Sequence, residues 1–150
     1  MEKDDIELIR RFNRFYTGIL GLLDRHILSS QYSLPEARVL YELFQHQPCR
    51  SATLLEYMDI DKGYLSRILR SFERRGIVKR KKSTADGRAS LLNLTKKGNK
   101  DFAVLDSASR NQLSQLLAHL TPGEVRRLTR HMSSIQRFIS KGIRHEKATA

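Results

Sequence analysis

The chain has 150 residues, of which 39% are apolar and 29% are charged, and it carries a formal net charge of +12 at pH 7. This length accommodates one domain with a buried core, and the composition excludes both a disordered tail and a membrane-embedded protein. The apolar stretches are shorter than a bilayer-spanning helix and the N-terminus is acidic, unlike a secretory signal, so we expect a cytoplasmic protein. The single cysteine, Cys49, excludes an internal disulfide framework.

The positive charge is concentrated in the middle of the chain. Residues 50–100 contain 14 Lys and Arg against 5 Asp and Glu, whereas residues 1–49 contain 6 against 7 and residues 101–150 contain 8 against 4. A local excess of this size attracts a polyanion to one surface. Nucleic acid is therefore the leading candidate for a partner, and an anionic membrane surface is the second.

The first third of the chain predicts two helices, because apolar residues recur there at steps of three and four. The first helix covers about residues 5–29. The second begins with a serine cap at Ser33, a first-turn proline at Pro35 and a glutamate at Glu36, and it ends near Gln47. The side chains of the second helix predicted to face inward are Ala37, Leu40, Leu43 and Phe44.

The next segment predicts a short helix followed by a longer one. Ser51 is predicted to cap the third helix, which stops at about Asp59, and its buried residues are Leu54, Leu55 and Met58. Asp61 caps the fourth helix, and Gly76 terminates it. The fourth helix places one apolar stripe toward the core, consisting of Leu65, Ile68, Leu69 and Phe72.

After Gly76 the pattern changes to that of a β-hairpin. Residues 77–82 and 89–94 are short strand-like runs, and the turn formers of residues 83–87 separate them. The returning arm carries Leu92 and Leu94, which are predicted to pack the hairpin against the core.

Two further helices follow the hairpin. Thr95 caps the fifth helix, and the sixth begins at the cap, proline and glutamate of Thr121, Pro122 and Glu124. The apolar residues assigned to the fifth are Phe102, Leu105, Leu113, Leu116, Leu117 and Leu120, and those of the sixth are Val125, Leu128, Met132, Ile135, Phe138 and Ile139. The sequence beyond about His145 is predicted to fray.

A short helix, a tight turn and a longer basic helix form the pattern of a helix-turn-helix. At 100° per residue, the side of the fourth helix opposite its apolar stripe is basic and free to enter a major groove, where arginines can donate to guanine edges. The alternative is a solvated face that is merely basic. The predicted DNA-reading residues of this helix are Lys62, Gly63, Tyr64, Ser66, Arg67, Arg70 and Arg74.

The basic hairpin directly after this helix is interpreted as a wing. Its lysines are predicted to lie along phosphates, and the arginine at its tip is predicted to enter the adjacent minor groove. An Asp-Gly pair alone indicates only an ordinary turn, so this interpretation depends on its position after a helix-turn-helix. The predicted wing and backbone contacts are Ser51, Thr53, Lys79, Lys81, Lys82, Asp86 and Arg88.

These residues together resemble the MarR-type winged helix-turn-helix regulators, over nearly the whole chain. The matching stretches are LPEARVLYEL, YLSRILRSFERRGIVKRKKSTADGRASLLNLTKKG and the flanking long helices. The resemblance implies one domain over residues 1–150, which is mainly α with a small β-hairpin wing. Residues of about 5–30 and 95–145 would form the dimerisation helices, and about 34–94 the winged helix-turn-helix lobe.

The resemblance also implies roles for particular residues. The fourth helix would be the recognition helix, Arg88 would read the minor groove, and Asp86 would orient Arg88. Asp59 stands where the family usually has glycine in the turn. In a second resemblance, the stretches IRRFNRFYTGILGLLD and GYLSRILRSFERRG are similar to the amino-terminal module of proteins in which a MarR-like domain precedes a GNAT-type acetyltransferase. For this chain, that resemblance implies only the DNA-binding half of such proteins.

Three weaker signals each have a simpler alternative. His46 and Cys49 have a spacing seen in metal sites, but incidental loop residues are favoured, and no metal or cofactor is predicted. Cys49 beside Arg50 could act as a redox sensor if its pKa were lowered, with a small loop residue as the alternative. The aromatic residues Phe12, Phe15 and Tyr16 are candidates for an effector pocket, although core or dimer packing is favoured.

The sequence contains no phosphate loop, nucleophile elbow or zinc-protease motif, so we expect no enzyme activity. The expected function is that of a homodimeric regulator that binds a pseudo-palindromic DNA duplex, represses transcription and is released by a small molecule, without membrane contact. One alternative is an architectural protein that coats DNA with little sequence preference. Another is a protein-interaction adaptor.

Overall fold

The computed structural model describes residues 3–27, 30–82 and 90–149. The described chain is mainly helical with one antiparallel hairpin, as predicted, and it divides into two compact units, residues 1–110 and 111–150. The elements in chain order are α1 (Lys3–Ile27), α2 (Leu34–His46), α3 (Ser51–Tyr57), α4 (Lys62–Arg74), β1 (Val78–Lys82), β2 (Ser90–Leu94), α5 (Lys96–Leu116) and α6 (Pro122–Thr149).

Most predicted helix starts are confirmed by their capping hydrogen bonds. Ser33 and Glu36 form a reciprocal capping box at α2, and the Asp61 carboxylate accepts a hydrogen bond from the Tyr64 backbone N–H at 2.8 Å at the start of α4. The predicted cap residue of α3 was wrong. The cap position there is Arg50, without a side-chain cap bond, and Ser51 is the first helical residue.

A glycine ends α4 and turns the chain into the hairpin. Gly76 adopts a φ of 68°, a region that side chains with a Cβ rarely adopt. Its N–H donates to the Glu73 carbonyl at 3.0 Å and the next N–H, of Ile77, donates to the Phe72 carbonyl at 2.8 Å. This pair of bonds is the Schellman motif. It leads directly from α4 into β1 and so places the hairpin beside α4.

The hairpin register determines which face of the two strands is buried. Val78 pairs with Leu94 and Arg80 with Leu92, and these two leucines are buried as predicted. Cys49 extends the hairpin, because its backbone N–H donates to the Leu92 carbonyl at 3.2 Å and its carbonyl accepts from the Leu92 N–H at 2.7 Å.

The core lies within the first unit, and α4 contributes its whole predicted apolar stripe to it. Helix α2 packs against α3, α4 and β2, and α4 packs against β1. Leu54 is fully buried, whereas Leu55 and Met58 are partly buried at the edge of the core. The prediction for Phe44 was wrong. Its ring is 41% exposed, although one face stacks on Phe102 at a centroid distance of 4.0 Å.

The start of α5 approaches the end of α4 and β1 closely. Thr95 caps α5 as predicted, because its hydroxyl accepts from the Gly98 N–H at 3.1 Å, and the same hydroxyl donates to the Gly76 carbonyl at 2.7 Å. A Cβ atom on Gly98 would lie 2.2 Å from the Ile77 carbonyl oxygen. A glycine is therefore required for this approach.

The last two helices differ from the predicted boundaries. Helix α5 ends at Leu116, so Leu117 and Leu120 follow it, and α6 continues to Thr149 instead of fraying near His145. The predicted start of α6 is confirmed by the hydrogen bonds between Thr121 and Glu124. No helix in the described part of the chain combines the length and hydropathy needed to cross a membrane.

Candidate nucleic-acid interface

The predicted reading face of α4 is a continuous exposed surface. Its apolar stripe is buried against the core, so the side chains on the other side of the helix point outward. The residues on this outer side are all exposed, namely Lys62, Gly63, Tyr64, Ser66, Arg67, Arg70 and Arg74. Because they share one face of one helix, the fold brings them together in the way the helical spacing predicts.

Two arginines of this face are held by neighbours on the same helix. The Arg67 guanidinium lies over the Tyr64 ring at 5.5 Å, and the Arg70 Nε donates weakly to the Ser66 carbonyl at 3.4 Å. Among the residues that the structure describes, no carboxylate lies within 4.0 Å of the side-chain nitrogens of Lys62, Arg67, Arg70 or Arg74. The positive charge of this face is therefore not neutralised within the described chain, which favours an anionic partner.

The wing strand presents lysines beside this face. Successive side chains alternate across a strand, so Lys79 and Lys81 share one face and Lys82 lies on the other, with Arg80. All three lysines are exposed. Asp86 and Arg88 lie outside the described residues, and their roles stay predictions.

The predicted backbone contacts on α3 occupy its first turn. Ser51 and Thr53 are both half-buried there. The Thr53 N–H is occupied in a hydrogen bond to the Arg50 carbonyl at 3.1 Å.

The C-terminal end of α4 is fixed by a cluster that the sequence did not indicate. Arg75 pairs with Glu36 at 3.0 Å, and its guanidinium lies 4.6 Å from the centroid of the Tyr32 ring. The Tyr32 hydroxyl donates to Asp101 of α5 at 2.5 Å. Burial raises the pKa of the Tyr32 phenol above its usual range, and the bond to Asp101 raises it further. These residues lie far apart in sequence, so no local pattern could have revealed the cluster.

Cys49 is a core residue, which corrects its interpretation as a small loop residue. Its side chain is 5% exposed, and burial raises its pKa instead of lowering it. A neutral buried thiol is poorly nucleophilic.

His46 stacks on Tyr57 at 4.0 Å and contacts Glu42 at 3.4 Å, and no cluster of metal-binding side chains occurs within the described residues.

The aromatic residues proposed for an effector pocket are exposed on α1. The Phe12 and Tyr16 rings stack at 5.7 Å, and neither they nor Phe15 line a cleft described in the first unit. One cleft of about 240 Å³ lies between α2 and α5, lined by Leu34, Ala37, Arg38, Tyr41, Phe102, Leu105, Asp106 and Ser109. A wider one of about 670 Å³ is lined by the start of α2 and the turn before α4.

The comparisons with known proteins agree with this geometry. Residues 32–90, from the start of α2 to the start of β2, match the family model described as MarR family. Over these residues the chain is similar to the MarR-family domain. MarR-family proteins among the similar solved structures are described as transcription regulators. No curated protein shows significant similarity to the chain.

Solved structures of MarR-family proteins share the fold over most of the chain. A MarR family protein from Bacillus stearothermophilus matches with a TM-score of 0.80 and 15% identity, covering 93% of this chain and 99% of that one. A MarR/EmrR family transcriptional regulator from Acinetobacter sp. ADP1 matches with a TM-score of 0.73 and 16% identity, covering 93% and 99%. Wild-type MarR from E. coli, in its apo form, matches with a TM-score of 0.71 and 21% identity, covering 85% and 96%.

Proposed function

We propose that this protein is a cytoplasmic homodimeric transcription repressor that binds a pseudo-palindromic DNA duplex and is released by a small-molecule effector. The observation that carries the proposal is the exposed face of α4. Four cationic side chains lie there without a described carboxylate partner, beside a wing strand that carries three exposed lysines. The similarity of residues 32–90 to the MarR-family domain supports it.

The chemistry of this face suits the major groove. Arg67 and Arg70 can each donate two hydrogen bonds to the O6 and N7 atoms of a guanine. Gly63 and Ser66 are small enough to let the helix approach the base edges closely. Lys79 and Lys81, on the outward face of β1, suit phosphate contacts that position the helix without reading sequence.

Apolar side chains on the long helices support a dimer. Helix α1 exposes Ile9 and Phe15, and α6 exposes Phe138 and Ile139, although large apolar side chains seldom remain in contact with water in groups. A two-fold dimer would place its recognition helices in successive major grooves, so we expect half-sites about one helical turn apart.

The cleft between α2 and α5 is the better candidate for the effector, compared with the exposed aromatic residues of α1. Tyr41 and Phe102 give it aromatic walls, which suits a small aromatic ligand. Ser109 is exposed at the same cleft. A compound that releases DNA from the wild type should fail with Ser109→Trp, since the indole would fill the cleft.

Selection of bound sites from random duplex DNA tests the proposal directly. We expect a preferred palindrome bound at least about 10³-fold more tightly than random duplex. Arg67→Ala and Arg70→Ala should each cost about 1–3 kcal/mol on that site and relax the preference at particular base pairs. Arg14→Ala, which removes the same charge from an exposed arginine of α1, is the matched control and should have little effect.

The selection also separates the alternatives. An architectural protein would bind random and selected duplexes about equally, and a protein adaptor would bind neither at physiological salt. The resemblance to MarR–GNAT fusion proteins stays a prediction that this experiment does not address.

The wing tip provides a second test. Arg88→Ala should weaken binding most where the flanking DNA is A·T-rich and leave the major-groove consensus unchanged, because a tip arginine responds to groove width. Asp86→Ala should also weaken binding, if Asp86 orients Arg88, although it removes a negative charge. Tighter binding by Asp86→Ala at about 0.15 M salt would contradict the orienting role.

A further inference from the structure

Glu73 is the one carboxylate on the recognition helix. The sequence of α4 is KGYLSRILRSFER, in which every other charged residue is basic. At 100° per residue, Glu73 lies between the buried Leu69 and the exposed Arg70, on the flank that also carries Ser66. Its side chain is 31% exposed. A carboxylate at this border would repel the phosphates that the neighbouring arginines attract.

The wing strand supplies a partner for this carboxylate. Arg80 is the third of five residues in β1, and the Arg80 Nε donates to the Glu73 Oε1. Its cross-strand partner Leu92 is buried, so Arg80 points to the inner face of the hairpin, toward α4. Lys79 and Lys81 point to the opposite face. Arg80 therefore differs from the adjacent lysines of the basic run, although the sequence makes all of them look equivalent.

The pair joins the two elements that are proposed to contact DNA. Both side chains are partly exposed, at 31% and 39%, so the pair contributes little to the free energy of folding. A charge-assisted hydrogen bond with a guanidinium does, however, restrict the relative orientation of the groups that it joins. Besides this bond, α4 and β1 are linked by the short connection through Gly76 and by packing of the buried Ile77 and Val78.

We propose that Glu73 and Arg80 are positioning residues that set the orientation of the wing relative to the recognition helix. Neither needs to touch DNA: Glu73 acts through the wing, and Arg80 acts by holding β1 to α4 and by neutralising Glu73. This proposal rests on the proposed function, since it concerns how the same protein engages duplex DNA. It names specificity-determining residues that lie outside the predicted reading face and wing contacts.

The sign of the effect of Glu73→Gln is the decisive measurement. Counting charges alone predicts tighter binding, because the change removes a negative charge beside the DNA. The positioning role predicts weaker binding, by about fivefold to tenfold at about 0.15 M salt, as expected for the coupling between contacting residues. Affinity should be measured by fluorescence anisotropy on the selected duplex with its full flanks, and on a duplex truncated to the base pairs under the recognition helices.

The two duplexes distinguish positioning from general damage to the lobe. A misplaced wing should lose affinity only on the flanked duplex, because the truncated duplex lacks the groove that the wing enters. The exchange variant Glu73→Arg/Arg80→Glu keeps the net charge and restores an ion pair, so it should bind the flanked duplex within about twofold of the wild type. Unfolding midpoints for all variants should match that of the wild type.

Glu7→Gln is the matched control. Glu7 is also an exposed carboxylate paired with an arginine, Arg14, at 2.7 Å, but it lies on α1. It should leave the affinity for both duplexes unchanged.

Three outcomes would overturn the proposal. Glu73→Gln could bind the flanked duplex as tightly as the wild type or more tightly, the exchange variant could fail to recover affinity, or the loss could be equal on both duplexes. In each case the wild type would still bind duplex DNA, so the proposed function would stand. A wild type that binds no duplex would overturn the proposed function and this proposal together.

Discussion

Between Tyr32 and Phe102 the chain buries a set of apolar side chains that forms the complete described core. Among the described side chains outside this range, Ile9 and Phe15 of α1 and Phe138 and Ile139 of α6 are exposed. In the lobe, α4 buries Phe72 completely. In α6 the equivalent large ring, Phe138, is 71% exposed. Both helices show the same apolar periodicity in the sequence, so periodicity identifies the apolar face of a helix but not what covers that face.

The difference indicates that the lobe and the long helices are stabilised in different ways. The lobe has its own core and should keep its fold in a single chain, whereas the long helices need another surface to cover their apolar side chains. Under the proposed function, that surface belongs to a second copy. Four substitutions test this contrast.

The largest effect is expected in the core of the lobe. Phe72→Ala removes a fully buried ring that also makes an edge contact with Tyr32, and it should lower the free energy of unfolding by about 3–5 kcal/mol. Urea unfolding followed by circular dichroism measures the change. Phe138→Ala, measured in protein dilute enough to be monomeric, should change the free energy by less than about 0.5 kcal/mol. Equal costs for the two would contradict the comparison.

The next effect concerns association. Phe138→Asp should weaken self-association by roughly 100-fold, because a buried phenylalanine contributes about 1.5–3 kcal/mol and a buried unpaired carboxylate is unfavourable. Sedimentation equilibrium measures the dissociation constant. Gln136→Asp introduces the same charge on another side of α6 and serves as the control. If Phe138→Asp associates as the wild type does, another surface covers this face.

A glycine at the close approach of α5 to β1 should resist substitution. Alanine normally stabilises a helix relative to glycine by roughly 0.5–1 kcal/mol, but at Gly98 the new Cβ would meet the Ile77 carbonyl oxygen at 2.2 Å. Gly98→Ala should therefore destabilise the lobe by about 1–3 kcal/mol, as overpacking does.

Gly18 provides the control for the sign of this change in stability. A Cβ at Gly18 meets nothing within 4 Å, so Gly18→Ala in α1 should be neutral or slightly stabilising. Thermal unfolding of the two variants gives the comparison. A Gly98→Ala variant as stable as the wild type would mean that α5 can move away from β1 without cost.

The smallest effect is expected at Cys49. Cys49→Ser should cost about 1 kcal/mol, because it places a hydroxyl where a thiol is buried. Operator affinity should change only through this loss of stability. A free energy of unfolding equal to that of the wild type would contradict the core placement.

The pH dependence of stability gives an independent check on Cys49. Burial raises the pKa of its thiol above 9.0, so in alkaline solution the unfolded chain loses this proton before the folded chain does. The stability contributed by the neutral thiol is complete below that pH and is lost as the pH rises above it. The stability of the wild type relative to Cys49→Ala should therefore fall as the pH rises above the ordinary pKa of a thiol, about 8.5–9, as measured by urea unfolding.

The sequence by itself determined the local features of this protein. Ser33, Asp61 and Thr121 cap helices because a cap bond joins residues two or three apart, and the stripe of α4 follows from 3.6 residues per turn. The same periodicity predicted which side of α4 would be exposed. Local errors arose where the sequence allowed two positions for a helix start, as at Ser51, which is the first residue of α3 instead of its cap.

Only the tertiary structure decided which distant residues meet. Cys49 looked like a loop residue until its pairing with Leu92 placed it in the core, and Arg80 looked like its neighbouring lysines until the hairpin register turned it toward Glu73. The bond from Tyr32 to Asp101 spans 69 residues. Such contacts depend on how elements pack, and a helical or strand period fixes only the side on which a residue lies, not the partner that it meets there.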